Sequence, residues 1–177
     1  ASCVWSPHQV GKINQLEAVQ RKFTKRLPGL AMLSYGERLA YLGLQSLEMR
    51  RLKQDLVYCY KIVFGHVNAC GELFQLSSSV NTSIGTRGHI YKLFPHCSRI
   101  DARKFFFSER VINSWNSLPA KTEHFRSLAT FKHFIQSVDL KNMSHLVFNF
   151  VSLYFSFCIL RNSVFMFFFL FKISNAC

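Results

Sequence analysis

Acidic residues are scarce in this chain. Nine Asp and Glu stand among 177 residues, and none follows Asp139. No Asp-Asp or Asp-x-Asp pair occurs. The carboxylates that hold two metal ions about 3.5–4 Å apart for phosphoryl transfer are therefore missing, and so is a phosphate-cradling Gly-x-x-x-x-Gly-Lys loop. The six cysteines (Cys3, Cys59, Cys70, Cys97, Cys158 and Cys177) form no CxxC and no dense, regular framework. That spacing excludes a small disulfide scaffold. The chain opens Ala1-Ser2-Cys3, without an initiator Met and without the basic and apolar stretches of a secretory signal. A reduced intracellular protein of nucleus or cytoplasm is expected, and a fragment or incompletely defined gene product. His89, His96 and Cys97 lie near one another in the sequence, with Cys59 and Cys70 upstream. None has the paired spacing of a structural zinc site. They read as core cysteines and surface histidines, so no metal and no cofactor is expected. No nucleophile-elbow motif supports a Ser–His–Asp triad, and no catalytic residue is expected.

Basic residues are what the chain has instead. Its 22 Lys and Arg give a formal net charge of +13. Residues 1–140 hold nineteen of these against all nine acids, a balance of +10. Such an excess suits a surface that faces nucleic acid or anionic lipid, and equally a basic surface that binds neither. Phe is abundant at 19 residues, nine of them after residue 140.

The periodicity predicts helices. Ser6 can cap the first, with Pro7 at its first position and Gln9 completing a capping box. Val10, Ile13, Leu16, Val19, Phe23 and Leu27 form its apolar stripe, with Lys12, Arg21, Lys22, Lys25 and Arg26 mostly off that stripe. Pro28-Gly29 stops it. Ser34 and Glu37 form a capping box for a short second helix that ends at Gly43. Ser46 can cap a third, with Leu52, Leu56, Tyr60 and Val63 facing a core and Arg50, Arg51, Lys53 and Lys61 supplying charge. Gly65 is its C-cap. Ser77–Ser79, Asn81–Ser83 and Gly85–Gly88 mark loops, and Ile90–Phe94 a short strand or extended segment. Ser108 can cap a helix carrying Val111, Ile112 and Trp115, and Ser127 another carrying Leu128, Phe131, Phe134 and Ile135. Trp115 could stack on a base, but its helical spacing with Val111 and Ile112 favours a core position.

Several segments recur in a recognisable order. Trp5-Ser6-Pro7 is followed by Leu16-Glu17-Ala18-Val19-Gln20-Arg21-Lys22-Phe23-Thr24-Lys25-Arg26. Ser34 to Leu39, Leu42 to Arg51, Thr86 to His89, Arg99 to Lys104, Phe106 to Val111, Trp115 to Pro119 and Ser127 to Lys132 come next. In order and spacing they resemble the region after the polymerase core in reverse transcriptases of jockey-type non-LTR (LINE-like) retrotransposons. In that family the catalytic carboxylates, a Tyr-x-Asp-Asp segment and another Asp, lie upstream of the Trp-Ser-Pro segment. The resemblance covers about residues 4–135 and stops before residue 140.

The resemblance implies a mainly α fold: a small helical bundle like a polymerase thumb over residues 1–65 and a downstream extension with two short helices over 66–140. It implies a non-catalytic fragment of an RNA-directed DNA polymerase that contacts the template–primer backbone. Lys12, Arg21, Lys22, Lys25 and Arg26 become the backbone contacts, because Lys and Arg supply duplex affinity by neutralising phosphates. The expected partner is RNA/DNA duplex, bound weakly and without sequence preference. Trp5, Ser6, Pro7, Trp115, Asn116, Leu118 and Pro119 are motif positions with a structural role. Oligomeric state has no signal in the sequence.

Residues 141–177 differ in kind. They hold no acid and three basic residues. Leu146–Leu160 and Val164–Phe171 are apolar runs separated by Arg161, Asn162 and Ser163. Joined, they reach the roughly 20 residues a bilayer span needs, but Arg161 near the middle costs about 2.5–3.5 kcal/mol of insertion. Translation past the end of an element into thymine-rich DNA gives the same vocabulary and is the preferred reading. A tail-anchored membrane protein with a basic cytosolic domain is the alternative. On the preferred reading the tail stands outside the folded domain.

Overall fold

In a computed structural model, residues 3–68, 73–80 and 88–140 are described. The fold is mainly α, and its spine is the third helix. The elements are α1 (Val10–Lys25), α2 (Tyr35–Tyr41), α3 (Leu47–Val63), α4 (Ser77–Val80), α5 (Asp101–Lys104), α6 (Phe107–Asn116) and α7 (Leu128–Ser137), with a 3₁₀ turn at Thr122–Phe125.

Ser46 starts α3 as expected: its hydroxyl accepts from the Met49 amide at 3.2 Å. Gly65, at φ +71°, follows its last turn in the left-handed region that favours glycine. Leu56, Cys59 and Tyr60 fall on one face and are buried against α6 and α7. From α6 come Val111, Ile112 and Trp115, and from α7 come Phe131, Phe134 and Ile135. The Ser127 hydroxyl accepts from the Thr130 amide, so this cap also stands where the sequence placed it. Rings fill the centre. Tyr60 and Phe131 stack at 4.7 Å, and Phe125 lies 5.4–5.5 Å from Phe131 and Trp115. The Tyr60 hydroxyl donates to the Phe125 carbonyl at 2.8 Å, so the buried phenol keeps a partner. This core draws on both sides of residue 65.

The first two helices attach differently. Glu17, at the middle of α1, is buried. It accepts from the Tyr35 hydroxyl at 2.5 Å and from the Leu47 amide at 3.0 Å. One carboxylate thus joins α1 to the first residues of α2 and α3. Arg38 of α2 is buried as well; its Nε donates to Thr24 Oγ1 at 3.2 Å and its Nη1 to the Leu33 carbonyl. The Ser34–Glu37 capping box forms as expected, and Gly43 follows α2 at φ +61°.

Three local expectations are corrected. Ser6 and Pro7 do not start α1: its N-cap is Gln9, with no side-chain cap, and the helix begins at Val10. The preceding segment is held by tertiary contacts instead. His8 stacks on Phe105 at 3.9 Å, and Arg110 donates to the Cys3 carbonyl at 3.0 Å. The apolar stripe of α1 is only in part its inward face: Ile13, Leu16 and Leu27 are half-buried, Val10, Val19 and Phe23 are all more than 60% exposed, and Glu17 and Thr24 are the buried residues of the helix. The hydrogen bonds of Glu17 and Thr24 turn the helix that way. Ser108 is no cap either. Phe106 is the N-cap and α6 begins at Phe107, which brings Phe107 and Val111, four residues apart, into the core.

The Ile90–Phe94 stretch is extended and makes one antiparallel bridge, Leu76 to Leu93. Ser77 N–H donates to the Lys92 carbonyl and Phe94 N–H to the Gln75 carbonyl, each at 2.8 Å. Ser77–Ser79, expected as loop, open the one-turn helix α4; α5 was not foreseen from the sequence. The expected loop residues Asn81–Arg87 and the tail from Lys141 lie outside the described residues.

Candidate nucleic-acid interface

The five cations assigned to α1 all reach solvent. Lys12, Arg21, Lys22, Lys25 and Arg26 are exposed, and among the described residues none has a carboxylate within ion-pair distance. Arg21 with Lys25, and Lys22 with Arg26, are four residues apart and therefore neighbours on the helix surface. Such like-charge pairs cost a helix about 0.2–0.5 kcal/mol each, a cost that a bound polyanion relieves. Lys22 and Lys25 also sit in the last turn, where the helix dipole favours positive charge. The Arg21 guanidinium lies 5.1 Å from the centre of the Tyr35 ring. Tyr35 is itself pushed up in pKa, by burial first and then by its hydrogen bond to Glu17.

The structure adds a second basic surface that the sequence left unassigned. An open groove of about 910 Å³ runs between α3 and α7 and is walled at one end by the α2–α3 connection. Arg50, Lys53 and Lys61 line it from α3 and Lys132 from α7, and no Asp or Glu is among its lining residues. Lys53 Nζ donates to the Gln136 carbonyl at 3.2 Å. Burial pulls the pKa of Lys53 down, while the charge of Asp139 acts the other way. Arg50, Lys53 and Lys61 could have been grouped from their spacing, which puts them on one helix face. Lys132 could not, because only tertiary packing brings α7 beside α3.

The two surfaces flank α3. Glu48, Arg51, Leu52 and Asp55 face a crevice of about 70 Å³ shared with Ile13 of α1 and with Ser6 and Pro7. At 3.6 residues per turn, that face lies roughly 140° around α3 from the groove face. Beneath the crevice, Arg110 donates through Nη2 and Nε to Asp55 Oδ2 at 2.9 and 3.1 Å. Burial pushes the Asp55 carboxyl up and the Arg110 charge pulls it back, with burial the larger effect.

Of the motif residues, Trp115 and Asn116 form a brace. Trp115 is fully buried, which takes its ring out of reach of a base. Its indole N–H donates to the Tyr91 carbonyl at 2.6 Å. The Asn116 amide pairs with the backbone of Leu93 in both directions, each bond 2.8 Å long. Leu118 closes the core edge, and Pro119 is exposed. The helix α6 thereby grips the extended segment 89–93. At the other motif, Trp5 is 62% exposed, and Ser6 and Pro7 are half-buried at the crevice.

His89 is a correction. Expected at the surface, it is buried, with Nε2 3.0 Å from the Trp115 carbonyl and its ring 5.0 Å from that of Phe125. Those contacts satisfy Nε2, while Nδ1 is buried without a hydrogen-bond partner among the described residues. Burial lowers its pKa, the Trp115 carbonyl opposes this and Lys92 adds to it. Cys97, expected in the core, is exposed, whereas Cys59 is buried as expected. Cys70 lies outside the described residues. Among the described residues no group of three or more His, Cys, Asp or Glu is placed to hold a metal ion, and no helix is long and apolar enough to cross a membrane.

Compared with family models, with curated proteins and with solved structures, the chain has no match.

Proposed function

We propose that this chain is a non-catalytic, nucleic-acid-binding fragment of a retrotransposon reverse transcriptase, with α1 to α3 serving as a thumb-like element on the template–primer backbone. The observation that carries this reading is the outward array of Lys12, Arg21, Lys22, Lys25 and Arg26, free of carboxylate partners among the described residues. Cations on a helix surface contact phosphates without reading bases. The order of sequence motifs from Trp5 to Lys132 supports the retrotransposon origin. The lack of an Asp-Asp or Asp-x-Asp pair supports the absence of polymerase chemistry in this chain.

Binding to a labelled RNA/DNA duplex, followed by fluorescence anisotropy across a salt series, tests the reading. The logarithm of the binding constant should fall linearly with the logarithm of salt, by about 0.9 for each phosphate neutralised on duplex. Replacing Arg21, Lys22, Lys25 and Arg26 with Ala should flatten the slope by roughly 3–4. Binding that ignores salt, or no binding at low salt, removes the proposal.

A further inference from the structure

The groove between α3 and α7 has the chemistry of an anion site without an occupant assigned to it. Its cations are arranged along a line. Arg50, Lys53 and Lys61 share one face of α3 and span about 16 Å along the axis at 1.5 Å per residue. That length lets the row follow several successive phosphates of one strand. Lys132 faces the row from α7, so a chain lying in the groove meets positive charge from both walls. The charge of Asp139 acts on Lys53. Arg50, Lys61 and Lys132 have no ion-pair partner among the described residues. Tyr58, also on the groove wall, is partly exposed and can offer a ring edge or face to a base.

We infer that this groove seats the sugar-phosphate backbone of a single nucleic-acid strand, as a second site separate from α1. The inference rests on the nucleic-acid reading above and adds the location and the strand state. A row of cations along an open groove between two helices can follow a thin chain. The convex outer face of α1 is open to a duplex. Because the groove face of α3 lies about 140° from its α1 face, the two sites can be removed independently.

The test uses the full chain and three proteins: wild type, the groove variant Arg50→Gln, Lys61→Gln, Lys132→Gln, and the α1 variant Arg21→Gln, Lys22→Gln, Lys25→Gln, Arg26→Gln. Lys53 is kept, since it ties α3 to the Gln136 carbonyl. The probes are a labelled 12-nucleotide single strand, a labelled RNA/DNA duplex, and phosphatidylserine vesicles. The groove variant should lose about two units of salt slope on the single strand, at roughly 0.7 per phosphate contact. It should bind that strand at least tenfold more weakly at low salt, with its thermal melt unchanged and its duplex binding within twofold of wild type. The α1 variant should show the reverse pattern. Wild-type binding to the single strand that the groove variant retains in full overturns the groove and leaves the α1 reading standing. A groove variant that loses vesicle binding but keeps the oligonucleotide also overturns it. Failure of wild type to bind either nucleic acid at low salt sinks both proposals together.

Discussion

The α1–α2 region and the α3–α6–α7 region are held by opposite means. Around α3, the interior is apolar and aromatic: Leu56, Tyr60, Trp115, Phe131 and Ile135 are nearly inaccessible. Around α1, the fully buried residues are mostly polar: Glu17, Thr24 and Arg38 join Leu30 in the interior, while Val19, Phe23, Met32 and Tyr41 stand out in solvent. Apolar burial is non-directional and scales with area. A buried hydrogen-bond network is directional, and each member left without its partner carries its full desolvation cost. One region therefore resists unfolding through summed contacts, and the other depends on a few bonds that must all be made. Local opening in native proteins concentrates where apolar contacts are few. On that principle the cationic helix α1 should open before α6 and α7.

The strongest way to break the comparison is to attack the core. Trp115→Ala should cost about 3–5 kcal/mol, the range for a large buried aromatic. The indole bond to Tyr91 and the packing on Phe125 and Phe131 are lost together. Urea denaturation should show the whole domain weakened, with α1 melting alongside α6. A loss below about 1 kcal/mol would mean that the ring does not organise the centre.

Glu17→Ala sharpens the comparison. It strips the Tyr35 hydroxyl and the Leu47 amide of their acceptor. Hydrogen bonds to a charged group contribute about 1.5–3 kcal/mol, so a loss of that order is expected. Native-state hydrogen exchange should speed up in α1 and α2 and stay near wild type in α6 and α7. Uniform acceleration across all helices would show that the two regions are one cooperative unit.

The smallest effect is expected on the exposed apolar face of α1. Val19→Ser with Phe23→Ser should change stability by no more than about 0.5 kcal/mol per site, as for other surface positions. A core face, as the helical periodicity of α1 suggests, would lose several kcal/mol. A thermal melt lowered by more than a few degrees would restore that earlier assignment.

Much of the fold was legible because local chemistry and tertiary packing agreed. Ser34, Ser46 and Ser127 cap the helices they precede, since a side-chain oxygen can satisfy orphan amides wherever the helix goes. The α3, α6 and α7 core positions followed from spacing because their apolar side chains meet other apolar side chains. The reading of α1 found only part of its inward face. Of its stripe, Ile13, Leu16 and Leu27 are half-buried but Val10, Val19 and Phe23 are exposed, and nothing in the spacing marks Glu17 as a residue with two partners 18 and 30 positions away. Ser6 and Pro7 make a plausible helix start, but the stacking of His8 on Phe105 and the Arg110 bond to Cys3 draw that segment elsewhere. The five α1 cations were found on the solvent side, where a charge without a partner is least costly.

The sequence by itself determined the helical class, the caps of α2, α3 and α7, the apolar face of the central helices and the basic balance of residues 1–140. These are properties of single residues or of neighbours within a turn. Only the tertiary structure decided which face of α1 turns inward, why Trp115 and Asn116 stand together, and that Lys132 joins Arg50, Lys53 and Lys61 in one groove. Each of those depends on hydrogen bonds or proximity between residues more than twenty positions apart, or on a carboxylate whose partners are distant in the chain. Periodicity carries no information about such pairs, because it reports a helix's own geometry and not what it packs against.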